Sequence, residues 1–213
     1  MKLIDYSVHE FVKELDSASP APGGGSASAF ATAMGMGLSR MIGHLTIPKK
    51  KFKALEDNIQ SSFIRVHESF KEKQRRALEL LDEDTEAFNG IMRAFKMPKD
   101  TDEAKQKRKK AIEKATYRAI DVPFEIATLS HEALKDMYIL VKHGNKNAIS
   151  DIGVSALLLY AGLEGALLNV KINLSGLTDD AYVKTTSETT KKLLKEGNEL
   201  KNNILEDVHN AIG

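Results

Sequence analysis

The chain has 213 residues, 42% of them hydrophobic and 29% charged, which is typical of one soluble globular domain rather than a disordered or fibrous protein. Its 31 lysines and arginines nearly balance 30 aspartates and glutamates, so the net charge of +1 argues against a nucleic-acid-binding protein. Because there is no cysteine, disulfides and thiolate metal ligands are excluded, and a reducing, cytoplasmic location is expected.

The sequence pattern is helical from the N-terminus onwards, because strand-like alternation is absent and aromatic residues make up only 6%. Ser7 and Glu10 have the spacing of a capping box, which predicts a short first helix. The stretch 20–26 holds two prolines and three glycines, and we expect no regular structure there. It leads into an apolar helix predicted over 27–45, whose small residues allow neighbouring helices to approach closely.

Two long helices are predicted for the middle of the chain. Apolar residues recur at spacings of three and four over 49–97, which indicates one long amphipathic helix. Pro98 ends it, and Asp100 with Glu103 offers the N-cap of the next helix. That helix continues the pattern antiparallel to the first one and carries Pro123, where we expect a kink.

A buried helix and a polar terminal helix complete the prediction. The apolar stretch 149–171 contains Glu164, and a lipid-spanning segment of about 20 residues rarely holds such a charge, so we expect a core helix and no membrane association. After a connection over 173–177, the last helix is predicted over 179–211. The prediction is therefore all-α: an elongated antiparallel helical bundle with two long helices and two buried apolar helices, forming one domain over 1–213.

One carboxylate interrupts an otherwise apolar helix stripe. In the series 77, 81, 84, 88, 91 and 95 the spacings alternate between four and three, and position 84 is an aspartate. Burial raises the pKa of a carboxyl group and costs free energy unless partners compensate, so a buried Asp84 is either hydrogen-bonded or chemically active. The alternative is a shifted stripe, in which Asp84 faces water beside Glu83 and Glu86.

Three consecutive glycines precede the apolar helix and form a candidate binding turn. The backbone N–H groups of Gly23, Gly24 and Gly25, together with the helix dipole, can bind an anion or a carbonyl oxygen. The Walker pattern and the dinucleotide fingerprint are both absent, so no nucleotide cofactor is expected. The alternative is a flexible connector.

A polar turn over 144–151 opens the most apolar helix. Asn145, Ser150 and Asp151 place polar groups at a buried helix start, where a ligand can bind. Capping by Asn147 or Ser150 is the alternative explanation.

Asn169 and Asn173 lie four residues apart near the other end of the same helix and share one face. The six histidines show no metal-ligand spacing, so no metal site is expected. Two basic runs, 49–53 and 105–110, are usually solvated helix faces, and an acidic ligand is the alternative.

A family resemblance is carried by six ordered segments: 19–26 (SPAPGGGS), 82–88 (DEDTEAF), 97–99 (MPK), 122–123 (VP), 144–151 (GNKNAISD) and 169–174 (NVKINL). In this order they resemble the cyclodeaminase/cyclohydrolase family of folate enzymes. This family includes the second domain of formimidoyltransferase-cyclodeaminase and bacterial methenyltetrahydrofolate cyclohydrolases. The resemblance covers nearly the whole chain and implies an all-α homodimer that binds folate in a groove near the glycine turn.

The resemblance implies one of two reactions on a tetrahydrofolate derivative. One is ring closure of 5-formiminotetrahydrofolate to 5,10-methenyltetrahydrofolate with loss of ammonia. The other is hydrolysis of the methenyl compound to 10-formyltetrahydrofolate. Both pass through a tetrahedral carbon between N5 and N10, and neither needs a metal or a nucleotide. A single carboxyl group of raised pKa can take the N10 proton and protonate the departing amine.

Under this resemblance, Asp84 and Asp151 are the expected catalytic residues. The expected substrate-binding residues are Pro22, Gly23, Gly24, Gly25, Ser26, Asn145, Ser150, Asn169 and Asn173. Lys49, Lys50 and Lys51 match a basic position of the family and are expected to attract the polyglutamate tail of folate. The chain departs from the family at Ile47 and Pro48, and it has Glu164 where an apolar residue is expected.

Three functions remain open from the sequence. A cyclodeaminase is the leading hypothesis. A cyclohydrolase is the second, because it shares the substrate, the groove and the tetrahedral intermediate. The third, from another class, is a helical dimerisation or scaffold protein that kept the fold and lost the activity. The expected partners are a small-molecule folate and a second copy of the chain, with no nucleic acid.

Overall fold

The chain folds into a bundle of seven α-helices in a computed structural model that describes residues 2–213, and those residues form no strand. The α-helices are α1 (Val8–Leu15), α2 (Gly24–Thr46), α3 (Lys50–Lys53), α4 (Asp57–Phe95), α5 (Asp102–His143), α6 (Ile149–Leu174) and α7 (Asp180–Ile212). Two short 3-10 helices cover Leu3–Asp5 and Lys146–Ala148. The predicted all-α bundle is confirmed.

The two apolar helices α2 and α6 run antiparallel and pack directly against each other. Asn169 lies beside Gly24 at one end of the pair, and the Ser39 and Ser155 hydroxyls are 2.8 Å apart towards the other end. A Cβ at Gly162 would overlap the Thr32 side chain, so only glycine allows this separation. The predicted close packing of small residues is therefore present at the α2–α6 contact.

The core lies where α4 and α5 cover the inner faces of α2 and α6. Its largest fully buried side chains include Phe63, Phe70, Met36, Leu134, Met137 and Leu159. By length and mean hydropathy (1.5), Lys146–Leu174 is the one described segment that could span a membrane. Half of its most apolar window is buried inside the bundle, as in a core helix.

Of the starts of α1, α5 and α2, that of α1 agrees with the sequence pattern and the other two differ from it. Ser7 and Glu10 form the predicted capping box at α1. The N-cap of α5 is Thr101 rather than Asp100, because the Thr101 hydroxyl accepts a hydrogen bond from the Ala104 N–H. The glycine turn was expected to be irregular up to residue 26, but α2 begins at Gly24.

The predicted single helix over 49–97 is wrong, because the chain breaks between α3 and α4. Glu56 is not helical, with φ −60° and ψ 143°, and the Gln60 amide donates to the Leu55 carbonyl at 2.7 Å. The break lets Phe52, only 3% exposed, pack against Phe63 with ring centroids 5.0 Å apart. In one continuous helix those residues would be about 16 Å apart along the axis.

The later helices follow the prediction with small shifts. α5 is one continuous helix through Pro123. The expected kink at Pro123 is a change in the direction of the helix axis, and it stays a prediction. α6 reaches Leu174 rather than residue 171, so Asn173 is helical. Asp179 caps α7 by accepting a hydrogen bond from the Tyr182 N–H at 3.0 Å.

Candidate active site

Asp84 lies on α4 and faces the first turn of α2. The Ser26 hydroxyl donates to Asp84 Oδ2 at 3.1 Å. Burial raises the pKa of the Asp84 carboxyl group, while hydrogen bonds from the Ser26 side chain and backbone oppose that shift. Asp84 is half-buried and contacts α2, rather than facing water in a shifted stripe. Its neighbour Glu83 instead forms ion pairs with Arg76 and Arg118.

Gly25 allows the Asp84 carboxylate to approach the start of α2. A Cβ at Gly25 would overlap Asp84 Oδ1, so any larger side chain would push the carboxylate away. The first N–H groups of an α-helix have no partner within the helix and carry partial positive charge. The Asp84 carboxyl group thus lies between two influences: burial favours its neutral form, and the helix N-terminus favours its charged form.

Ser26 is a fully buried residue of α2 whose hydroxyl contacts Asp84 and two other residues of α4. Its hydroxyl lies 2.9 Å from the Leu81 carbonyl oxygen and 3.1 Å from Thr85 Oγ1, besides its contact with Asp84. A hydroxyl has one proton to donate, so the Leu81 carbonyl and the Asp84 carboxylate compete for it. When Asp84 is neutral, the Ser26 proton can go to Leu81 instead.

Asn169 brings α6 to the same place, whereas Asn173 holds two helices together. A Cβ at Gly24 would lie 3.2 Å from Asn169 Nδ2, which itself donates to the Gly165 carbonyl at 2.9 Å. Asn173 Nδ2 donates to the Ala119 carbonyl of α5 at 2.7 Å. We call the group formed by Gly24, Gly25, Ser26, Asp84 and Asn169 the Asp84 corner.

An acidic groove of about 740 Å³ lies beside this corner. Pro22 and Thr85 line it, but Asp84, Gly24 and Asn169 do not. Its charged lining consists of Lys2 and five carboxylates: Glu14, Glu79, Asp82, Glu83 and Glu86. Arginines pair with Glu79, Glu83 and Glu86, which offsets part of this negative charge.

A basic pocket of about 410 Å³ lies at the opposite end of α2. Its lining includes Lys49, Lys51, Lys142, His143 and Lys146, and it contains no aspartate or glutamate. Burial and the two flanking lysines lower the pKa of His143, which favours its neutral form. The pocket can therefore bind an anion such as a carboxylate. Lys50 lies on α3 but does not line the pocket.

The polar turn before α6 belongs to the basic pocket. Asn145 lines it and caps the following 3-10 helix, because its side-chain oxygen accepts a hydrogen bond from the Asn147 N–H at 3.2 Å. No side chain caps α6 itself, so the alternative explanation, capping by Asn147 or Ser150, does not hold. Ser150 and Asp151 lie in the first turn of α6, at the same end of the bundle.

The structure does not bring all predicted site residues together within one chain. Gly24 and Thr46 are the first and last residues of α2 and lie about 33 Å apart. Asp151 is separated from Asn169 by about 27 Å along α6. Asp84 and Asp151, the two expected catalytic carboxylates, are thus at opposite ends of the α2–α6 pair.

Two further surface features lie away from the predicted site residues. A groove of about 570 Å³ runs between α4 and α5, with alanines on its floor and Arg93 and Lys114 among its charged residues. The basic run 105–110 contributes to a shallow groove of about 320 Å³ at the α4–α5 turn. No group of three metal-ligating side chains occurs within residues 2–213.

Sequence reasoning missed four residues, which lie at the Asp84 corner or in the basic pocket. Thr85 contacts Ser26, and Lys142, His143 and Lys146 line the basic pocket. The segment Lys142–Lys146 is visibly basic in the sequence and carried a usable signal. That this segment lies next to Lys49 and Lys51 depends on where α2 and α5 end in space. The sequence pattern alone does not predict this.

The known proteins that this chain resembles belong to one family. The family model described as formiminotransferase-cyclodeaminase matches residues 7–192. A methenyltetrahydrofolate cyclohydrolase from Methylorubrum extorquens is 36% identical over 206 residues, which cover 97% of each chain. The formimidoyltransferase-cyclodeaminase of Rattus norvegicus is 34% identical over 194 residues, 91% of this chain but 35% of that protein. The chain thus spans about a third of such longer relatives.

A solved structure shares the fold. The formiminotetrahydrofolate cyclodeaminase from Thermotoga maritima superposes with a TM-score of 0.77, and the match covers 97% of this chain and 96% of that one. At 24% sequence identity, this similarity supports the helical architecture alone.

Proposed function

The chain belongs to the formiminotransferase-cyclodeaminase family, and from this premise we propose that it catalyses folate one-carbon chemistry at the Asp84 corner. The leading reaction converts 5-formiminotetrahydrofolate to 5,10-methenyltetrahydrofolate and ammonia. In this reaction N10 forms a bond to the formimino carbon, and the bond from that carbon to its terminal nitrogen breaks. N10 loses a proton, and the departing nitrogen gains one.

The observation that carries the proposal is the position of the Asp84 carboxyl group. A carboxyl group whose pKa is raised by burial is a suitable proton shuttle, because it can accept the N10 proton and then give a proton to the departing amine. The N–H groups around Gly24 and Gly25 and the Asn169 side chain are available to orient the pterin. The proposed reaction uses neither a metal nor a nucleotide.

Hydrolysis of 5,10-methenyltetrahydrofolate is the second candidate. The similarity to a cyclohydrolase, 36% identical over 97% of each chain, favours it. Here Asp84 would take a proton from the water that adds to the bridging carbon. Asp84 would return that proton to N5 as the bond from the carbon to N5 breaks, and the hydroxyl on the carbon would lose its proton to solvent, which gives 10-formyltetrahydrofolate.

An absorbance assay of the methenyl compound distinguishes the candidates. Appearance of this absorbance from 5-formiminotetrahydrofolate, with stoichiometric ammonia, supports the cyclodeaminase. Decay of added methenyltetrahydrofolate without activity on the formimino substrate supports the cyclohydrolase. If neither reaction occurs and tetrahydrofolate does not raise the melting temperature, the chain is a non-catalytic helical protein instead.

The folate polyglutamate tail is proposed to bind the basic pocket. Changing Lys49 and Lys51 together to alanine should raise KM for a pentaglutamate substrate about tenfold, because two charge-assisted contacts are lost. The KM for the monoglutamate should change much less. Lys53→Ala removes a neighbouring charge outside the pocket and is the matched control. Equal weakening of both substrates would contradict tail binding.

The remaining parts of the proposal concern the setting of the enzyme. A cytoplasmic location fits the cysteine-free sequence. The proposed partners are a folate and a second copy of the chain. Size-exclusion chromatography with light scattering measures the second, and a homodimer is expected.

A further inference from the structure

Thr85 connects the Asp84 corner with the acidic groove. Its hydroxyl oxygen lies 3.1 Å from that of Ser26, which is fully buried and is itself 3.1 Å from Asp84 Oδ2. Thr85 is half-buried and lines the groove, whereas Asp84 does not. We call these three oxygen groups, which lead from the carboxyl group to the groove, the Asp84–Ser26–Thr85 chain.

The number of hydroxyl protons limits how this chain can be bonded. Ser26 and Thr85 have one hydroxyl proton each. Three oxygens lie within hydrogen-bond distance of the Ser26 hydroxyl: the Leu81 carbonyl, Asp84 Oδ2 and Thr85 Oγ1. If Ser26 donates to Asp84, the Ser26 oxygen can accept the proton of Thr85. If Ser26 donates to Thr85 instead, the carboxylate loses its hydroxyl donor.

An ionised Asp84 selects one direction for these hydrogen bonds. A hydrogen bond to a carboxylate is roughly twice as strong as one between neutral groups, so Ser26 donates to Asp84 rather than to Leu81. Thr85 then donates to Ser26. A hydroxyl that accepts one hydrogen bond donates more strongly in the next one. Thr85 thus supports the ionised form of Asp84 through Ser26.

The charged neighbours of Asp84 on α4 have partners of their own. Glu83 and Glu86 form ion pairs with arginines, and Asp82 accepts a hydrogen bond from a backbone N–H of the first 3-10 helix at 2.6 Å. Within the Asp84 corner, α2 and α6 contribute no charged side chain. The Asp84 pKa is shifted by burial and by hydrogen bonds from the Ser26 side chain and backbone. The Ser26 hydroxyl is therefore the group through which another side chain can act on Asp84.

We propose that Thr85 is a positioning residue of the candidate active site, which directs the Ser26 hydroxyl towards the Asp84 carboxylate. Asp84 remains the residue that exchanges protons with the substrate, and Thr85 acts on it through Ser26. The catalytic consequence rests on the proposed function. The hydrogen-bond chain itself can be measured without a substrate.

Carbon NMR of protein labelled at the aspartate carboxyl groups tests the chain without folate. The Asp84 signal is the one that Asp84→Asn lacks. Thr85→Val keeps the shape of the side chain but removes the hydroxyl, so the Asp84 pKa should rise by about half a unit. Thr85→Ser keeps the hydroxyl and should have the wild-type pKa. An Asp84 pKa that is unchanged in Thr85→Val would overturn the proposal.

Thr128→Val is the matched control. Thr128 is a half-buried residue of α5 whose hydroxyl donates to the Phe124 carbonyl at 2.9 Å, away from the Asp84 corner. Its substitution removes a comparable hydroxyl and should leave the Asp84 pKa unchanged. A rise equal to that in Thr85→Val would assign the shift to a general effect on the fold and contradict the proposal.

A double-mutant cycle tests whether Thr85 acts through Ser26. Ser26→Ala removes the hydroxyl donor and should raise the Asp84 pKa by about one to two units. Adding Thr85→Val to Ser26→Ala should give no further rise, because the chain is already broken. A further rise of half a unit would show that Thr85 acts on Asp84 directly, which would contradict the positioning role.

The pH profile of kcat/KM separates failure of this inference from failure of the proposed function. Its acidic limb reports the pKa of the catalytic base in the free enzyme. In Thr85→Val this limb should move to higher pH by the same amount as the pKa measured by NMR, and Thr85→Ser should restore it. A limb that stays while the NMR pKa moves contradicts Asp84 as the base and thus the proposed function. An NMR pKa that stays contradicts the role of Thr85, whatever the activity.

Discussion

Single residues of the Asp84 corner have effects that can be separated by substitution. Burial raises the pKa of the Asp84 carboxyl group, and Ser26 and the α2 N-terminus stabilise its ionised form. The sequence pattern located this residue, because helix periodicity places position 84 on an apolar stripe. It did not give the contact with Ser26, which lies 58 residues away and depends on the packing of α2 on α4.

Asp84→Asn should abolish turnover without abolishing binding. Loss of general acid–base catalysis is expected to lower kcat by at least about 100-fold. Folate affinity should stay within roughly tenfold, about 1.4 kcal/mol, because Asn keeps the shape of the side chain. Steady-state kinetics and equilibrium titration measure the two quantities. Retention of wild-type kcat would exclude Asp84 as the proton shuttle.

The same variant should be at least as stable as the wild type at neutral pH. A carboxyl group whose pKa is raised in the folded state stabilises the fold at pH values below 3.8, its ordinary pKa. This contribution to the free energy of unfolding is lost as pH rises through the folded-state pKa. The stability advantage of Asp84→Asn should therefore grow as pH rises from 4 to 7. Urea unfolding at several pH values measures it, and an advantage that shrinks over this range would contradict the raised pKa.

Gly25→Ala should impair catalysis by moving the Asp84 carboxylate. The new Cβ would overlap Asp84 Oδ1, so the carboxylate has to shift away from the start of α2. We expect kcat to fall at least tenfold. Gly90→Ala on α4 is the matched control, because the nearest atom to its Cβ would be 3.8 Å away. Equal activity of the two variants would show that this close approach is not required.

At the scale of helices, the α2–α6 pair sets where the two ends of the site lie. Gly35 and Gly162 face the partner helix, where a Cβ would contact or overlap its atoms, and the Ser39–Ser155 hydrogen bond fixes the register. The apolar and small-residue composition predicted that these helices are buried and close. The break before α4 could not be predicted, because it depends on the packing of Phe52 against Phe63.

Gly162→Ala should destabilise the bundle through this contact. Its Cβ would overlap Thr32 Oγ1 and lie 2.9 Å from the Ser28 carbonyl oxygen, which belongs to the backbone and moves little. Overpacking of this kind costs about 1–3 kcal/mol. Chemical denaturation measures the change, with Gly90→Ala again as the control for helix propensity. An unchanged free energy of unfolding would mean that α2 and α6 can separate without cost.

At the scale of the whole molecule, charge is separated although the total is nearly neutral. The acidic groove and the basic pocket lie at opposite ends of the α2–α6 pair, and the helices between them carry few charges. Composition alone gave a net charge of +1, which argues against nucleic acid as a partner. The segregation itself is a property of the folded bundle.

Two buried histidines should make the whole fold sensitive to mild acid. Burial lowers the pKa of both His67 and His131. His67 also faces His44 and Arg40. His131 faces Lys135, Glu132 and Glu196. The unfolded chain binds protons first as pH falls below about 6.5, so stability decreases there. The slope is expected to reach at most about 1.4 kcal/mol per pH unit for each histidine.

Replacing both histidines by glutamine should flatten this dependence between pH 7 and pH 5. Urea unfolding across that range measures the slope in the variant and in the wild type. His9→Gln, an exposed histidine on α1, is the control and should leave the slope unchanged. A wild-type slope that persists in the double variant would assign the acid sensitivity to carboxylates instead.

The sequence by itself determined the helical class, the close packing of the two apolar helices, and Asp84 as an unusual carboxylate. These follow from local periodicity and from side-chain size, which are readable along the chain. Only the tertiary structure decided that Asp84 meets Ser26 and that Lys49 and Lys51 share a pocket with Lys142 and Lys146. It also decided that Asp84 and Asp151 lie at opposite ends. The physical reason is that antiparallel helices of fixed rise determine which distant residues become neighbours.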